Sequence, residues 1–301
     1  MISKRSTQDG RIYEGVPQPY RILVPVANAA SLAVLLPPAV KAAKECAGFI
    51  ILLHIIVVPD QLPFSAGRQY AEESRTWFED AAGAVEAEGI PVKMSMLISR
   101  HAAQAIIETV INENVDLLVM GWREGGRSYF TTLGNHIDRV IDKVGCETLI
   151  IQQTHTRPFK NVLLALADSA QTVSALHKAW YLIGNEAAAL EVLHVLPRTA
   201  EAGERLKIFS VIKEGIARFG KDQGNLAPRI TFKIIDGSKP VDAIVKAAGD
   251  FDWVVLSSAS GSWLKRKFMK CRMARIARSV EPPLVMTLKL KKTVWMNRRR
   301  T

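Results

Sequence analysis

Four short apolar segments of this 301-residue chain recur in the same order later in the same chain. ILVPV at 22–26 answers VLLAL at 162–166, and LHI at 53–55 answers LHV at 193–195, both at an offset of 140. DLLVM at 116–120 then answers DWVVL at 252–256, and TLII at 148–151 answers LVMT at 284–287, both at an offset of 136. Chance matches scatter in spacing, whereas ordered matches at a near-constant spacing mark two copies of one unit. The expected organisation is an N-terminal extension over 1–19, one domain over 20–154, a second over 159–290 and a basic tail over 291–301.

Within each copy, short apolar runs alternate with longer stretches of helical period. Strands are expected at 21–26, 49–58, 92–98, 116–120 and 148–152, and again at 160–166, 189–196, 229–235, 252–256 and 283–288. Helices are expected near 30–47, 68–88, 101–113 and 135–144, and near 170–184, 200–222, 240–249 and 267–279. Runs such as 50–53, apolar at every residue, suit strands covered on both faces. Strand and helix in alternation predict two tandem, doubly wound α/β domains, each with a five-stranded parallel sheet. Ligands of such sheets bind beyond the carboxyl ends of the strands, so the loops after the first and fourth strands should meet at one crevice. Pro37 and Pro38 fall inside the first expected helix and should kink or divide it.

The loop after the fourth strand carries the clearest candidate site. An apolar run ends at Gly121 and is followed by Arg123, Gly125, Gly126 and Arg127. Gly134 and Asn135 then open a helical pattern in which Ile137, Val140, Ile141 and Val144 share a face. Glycines let the backbone approach an anion, and the free N–H groups and positive dipole end of a helix attract it. The structural alternative is a connection that uses glycine only for positive φ.

These residues resemble the universal stress protein family, over roughly 20–152 and more weakly over 159–289. The family's fold, that of the adenine nucleotide alpha hydrolases, and its ATP or AMP binding are what the resemblance implies. Its signature is a glycine, two residues, a glycine, nine residues, then glycine followed by serine or threonine. Gly121 and Gly134 match, while Glu124 stands at the second glycine and Asn135 at the serine or threonine. The family holds the nucleoside with an aspartate after its first strand; Ala27 stands there, between Val26 and Asn28. The expected nucleotide-binding set is Val26, Ala27, Asn28, Gly121, Arg123, Gly125, Gly126, Arg127, Gly134, Asn135 and His136, with ATP or AMP, with or without magnesium, and a cyclic dinucleotide left open. In the second copy Ser257, Ser260 and Lys270 replace the three glycines and Cys271 follows, so that half should have lost the usual pocket. PVAN after the first strand and GWR after the fourth are similar to the paired domains on the cytosolic end of amino-acid permeases and cation transporters. The resemblance further implies fifth strands that pair across the domain boundary, and a homo-oligomer is expected.

No catalytic arrangement emerges. His54 and His194 occupy matching places in two apolar strands, each without a partner in sequence, and a structural role is expected. His101 lies at a helix start, and neutral His136 beside the glycine loop can donate to a phosphate. SSASG at 257–261 lacks the first glycine of a nucleophile elbow. No lysine follows the glycine loop as phosphoryl transfer would need. Cys46, Cys146 and Cys271 lie too far apart for a zinc motif. A binding protein is expected before an enzyme.

Charge divides the copies. Residues 1–154 hold 14 Lys and Arg against 17 Asp and Glu, a net of −3, whereas 155–301 hold 26 against 12, a net of +14. After Ser260 there are 13 basic residues and one acid, Glu281. Lys265, Arg266, Lys267, Lys270, Arg275 and Arg278 lie on an expected amphipathic helix whose apolar face is Phe268, Met269, Met273, Ile276 and Ala277. That surface suits an anionic membrane or an acidic partner, while solvent alone is the structural alternative. Nucleic acid fits less well, with no aromatic stacking platform in the segment. The longest apolar run, 46–58, is too short to span a bilayer. A cytosolic location, at the inner face of the membrane, is expected.

Overall fold

The computed structural model describes residues 7–8, 11–12, 19–122, 135–152, 160–182, 189–196, 198–224, 229–237, 239–257, 272, 274–280 and 282–288. A small ribbon, β1 (Thr7–Gln8) with β2 (Arg11–Ile12), precedes the repeats. The first copy runs β3 (Arg21–Val26), α1 (Ala29–Cys46), β4 (Phe49–Val57), α2 (Ala66–Ala87), β5 (Val92–Ser99), α3 (Ala102–Asn112), β6 (Leu117–Trp122), α4 (Asn135–Lys143) and β7 (Glu147–Gln152). The second runs β8 (Asn161–Leu166), a 3-10 turn (Ser169–Gln171), α5 (Thr172–Leu182), β9 (Ala189–Leu196), α6 (Ala202–Gln223), β10 (Arg229–Asp236), α7 (Pro240–Ala248), β11 (Trp253–Ser257) and β12 (Leu284–Leu288). Residues 272 and 274–277 are helical ahead of β12.

All ten long strands join one sheet, in the order β10-β9-β8-β11-β12-β7-β6-β3-β4-β5. Pairing is parallel within each copy, and the copies meet where β7 and β12 pair antiparallel. The order reads the same from both edges once equivalent strands are matched, so a pseudo-twofold axis stands perpendicular to the sheet between β7 and β12. Ile150 and Met286, equivalent at the offset of 136, face each other at that axis. The fifth strands therefore pair as the resemblance implied. Because the copies run antiparallel, the carboxyl ends of their strands point in opposite directions.

Uninterrupted apolar runs follow from cover on both faces. Ile50 and Leu52 pack into the layer with α1, α2, α5 and α6, while Ile51 and Leu53 pack into the layer with α3, α4 and α7. The expectation at Pro37 and Pro38 is a kink or a division of the first helix; α1 is not divided and is helical throughout 29–46. Pro37 is exposed and Pro38 is buried. Packing of Leu35, Ala39, Ala42 and Ala43 against the sheet offsets the backbone bonds the prolines cannot donate.

Candidate functional site

The registers tie the two crevices together residue by residue. Ile22 lies opposite Leu117 in the first copy, as Val162 lies opposite Trp253 in the second. Gly121 is thereby equivalent to Ser257, Val26 to Leu166, Ala27 to Ala167, and, at the same offset of 136 along the following helix, His136 to Arg272.

The strand before the glycine loop is longer than its sequence pattern predicts. β6 continues through Gly121, which pairs with Ile151, to Trp122, which pairs with Gln152 and is buried. The apolar run does end at Gly121, yet β7 reaches to Gln152 and supplies a ladder partner for both residues. Val26 is buried at the end of β3, and Ala27 and Asn28 follow it exposed. Asn28 is committed locally. Its Oδ1 accepts from the Ser31 N–H at 3.1 Å, and its own N–H donates to Ser31 Oγ at 3.3 Å, closing a capping box on α1. Asn28→Ala should cost about 1 kcal/mol in urea unfolding; an unchanged midpoint would remove the cap from the account. Asn135 begins α4, and His136 is exposed in its first turn. Arg123, Gly125, Gly126, Arg127 and Gly134 lie outside the described residues.

A histidine braces each crevice from beneath. His54 Nδ1 lies 2.9 Å from the Val26 carbonyl, and His194 Nδ1 lies 2.9 Å from the Leu166 carbonyl. A carbonyl only accepts, so each Nδ1 carries its proton. His54 Nε2 then faces Ser74 Oγ at 3.1 Å, and the ring stands edge-on to Trp77. The matching sequence positions therefore serve to tie the second strand of each copy to the end of the first. His101 is exposed at the start of α3.

In the second copy a cavity of about 150 Å³ opens at the carboxyl ends of β8, β9 and β11, beneath α7 and the helical residues 272 and 274–277. Asp168 caps the 3-10 turn, accepting from the Ala170 N–H at 3.0 Å. On the basic segment, Arg275 is exposed, 3.8 Å from Asp242, and Arg278 is half-buried rather than turned fully outward. Lys265, Arg266, Lys267 and Lys270 lie outside the described residues.

Sequence reasoning missed a buried polar seam where α1 meets α5. Lys178 Nζ lies 3.5 Å from Glu147 Oε1, joining the two copies, and both residues are buried. Burial raises the Glu147 carboxyl and lowers the Lys178 ammonium from their ordinary values, against their mutual attraction. His177 stands 3.9 Å from Glu45 and 3.7 Å from Asp222. Lys41 Nζ lies 3.2 Å from the Trp180 ring centroid, and burial, opposed by Glu45, brings it down to about 8. No local signal in the sequence pairs residues so far apart. The offset of 140 does place Lys178 opposite Pro38, which makes it the odd member of its repeat.

Among the described residues no group of three or more His, Cys, Asp or Glu is placed to hold a metal ion, and no helix is long and apolar enough to cross a membrane. Comparison with known proteins places this architecture. The universal stress protein family model matches residues 20–152. A universal stress protein of Thermus aquaticus is 31% identical over 100 residues, covering 32% of this chain and 70% of that protein. The Na(+)/H(+) antiporter NhaS5 of Synechocystis is 23% identical over 242 residues, which is 79% of this chain but 34% of the antiporter, so the chain spans about a third of that relative. Among solved structures, a universal stress protein of Archaeoglobus fulgidus superimposes with a TM-score of 0.58 at 17% identity, covering 88% of this chain and 95% of that one. The cytoplasmic domain of a prokaryotic cation chloride cotransporter does so at 0.55 and 12% identity, covering 90% and 96%. With the family model over its first copy and this identity to the Thermus protein, the chain belongs to the universal stress protein family.

Proposed function

We propose that this chain is a non-catalytic regulatory module belonging to, or acting on, a membrane transporter of amino acids or cations, and that its first crevice takes an adenine nucleotide. The observation that carries the transporter reading is the reach of the antiporter alignment, whose 242 residues are too many for one copy. A fused pair, whose strands' carboxyl ends point in opposite directions across one sheet, can couple occupancy of one crevice to contacts made elsewhere, provided the ligand favours one arrangement. The basic excess after Ser260 supports a place at the anionic cytosolic face of a membrane. Gly121 and Gly134 support ATP or AMP, with or without magnesium, at the first crevice.

A second reading has its own support. Ala27 carries no polar group and Asn28 Oδ1 already accepts from Ser31, which favours a nucleotide-free interaction scaffold. Calorimetry with ATP, AMP and a cyclic dinucleotide separates the two. The nucleotide reading expects saturable heat at one site per chain with no phosphate release above buffer. Silence with all three at millimolar concentration would leave the scaffold, and steady phosphate release would bring back an enzyme.

A further inference from the structure

We infer that the second crevice is a binding site for a small carboxylate with a branched aliphatic or aromatic tail. Its cavity is walled by Val195 from β9, Val241 and Ile244 from α7, and Ile276 from the last helix. Two polar residues complete the lining, buried Ser257 at the end of β11 and exposed Arg272. The walls are mostly apolar, so an apolar group is favoured against them. At about 150 Å³ the cavity is half or less of a typical drug-sized pocket, about 300 to 1,000 Å³. A six-carbon chain or a phenyl ring fills a space of this size.

The polar residues select the head group. Ser257 stands where the first copy has Gly121, so a side chain occupies the place where a bare backbone would admit phosphate. Arg272 stands where the first copy has His136 and brings a permanent charge with a fork of N–H donors, the geometry that takes a carboxylate through two parallel bonds. One guanidinium and one hydroxyl match the single charge of a carboxylate better than the double charge of a phosphate monoester. Loss of the glycines thus changes the ligand rather than abolishing the site. This inference rests on the second copy alone and stands whether or not the first crevice takes a nucleotide.

The test is saturation-transfer NMR and calorimetry on the full chain with 4-methylpentanoate, benzoate, the neutral 4-methylpentanamide, inorganic phosphate and AMP. The carboxylates should bind, the amide about tenfold more weakly, and phosphate not at this site. Arg272→Gln should weaken 4-methylpentanoate about tenfold or more, as loss of a charge-assisted bond does, and leave the amide unchanged. Ile244→Trp, which fills the cavity, should abolish both; Val241→Phe serves the same purpose if that variant fails to fold. No transfer to either carboxylate at tens of millimolar, an Arg272→Gln chain that binds 4-methylpentanoate as tightly as the parent, or AMP competing for the cavity would overturn the inference.

Discussion

Replacing Lys178 with methionine is expected to destabilise the chain by about 3–5 kcal/mol, because it strands the Glu147 carboxyl in a buried seam. Glu147 opens β7 in the first copy and Lys178 lies on α5 in the second, so the loss falls on the join between copies. Replacing both partners should behave differently. Glu147→Leu with Lys178→Met removes the cost of burying two charges, and such exchanges are often neutral or stabilising by about 1–4 kcal/mol. The fold already contains the apolar version. At the repeat offsets, Glu147 corresponds to Pro283 and Lys178 to Pro38, and both prolines are buried. One side of the pseudo-twofold axis is therefore ionic and the other apolar. Urea unfolding of the two single variants and the double variant reads this directly. A double variant as unstable as Lys178→Met would mean that the loss comes from the pair itself and not from a stranded Glu147, contrary to this reading.

Phe219→Ala should cost about 3–5 kcal/mol, the range for an aromatic removed from a well-packed core. Phe219 is fully buried on α6, its ring 5.0 Å from His177 and 6.5 Å from Trp180 in edge-on arrangements. Those two residues lie on α5, beside Glu45 and Lys41 of α1. The cavity left by alanine would undercut the helix that carries the seam, so loss in the second copy should spread to the first. Unfolding followed through the assigned indole N–H resonance of Trp77, in the first copy, should then shift together with the circular dichroism. A Trp77 resonance that stays at the parent midpoint would separate the copies.

Eight of the ten strands are legible as apolar runs that recur at an offset of 140 or 136, the form a strand buried on both faces takes, while the edge strands β5 and β10 show instead as mixed, half-exposed segments between helical patterns. Where the expectation failed, the missing information lay in a distant partner. β6 extends past its apolar run because β7 is long enough to pair with Trp122. α1 stays undivided because tertiary packing overrides the penalty of Pro37 and Pro38. The Glu147–Lys178 pair is invisible locally, since each residue reads as an ordinary charge until the sheet brings the copies together. At the candidate site, the sequence pointed to the ends of the first and fourth strands of each copy and read the second copy as a loss. Replacement of glycines by Ser257, Ser260 and Lys270 says that a phosphate loop is gone; only the packing of β9, α7 and the last helix reveals a cavity in its place.

The central claim is that two copies form one sheet through β7 and β12. Amide hydrogen exchange followed by mass spectrometry tests it most directly. Amides over 149–151 and 285–287 should exchange only through global unfolding, as slowly as those of β3 and β8, because interior ladder bonds open only when the cooperative unit does. If those amides exchange at the rate of exposed loops while β3 and β8 stay protected, the copies are separate domains and the continuous sheet is wrong.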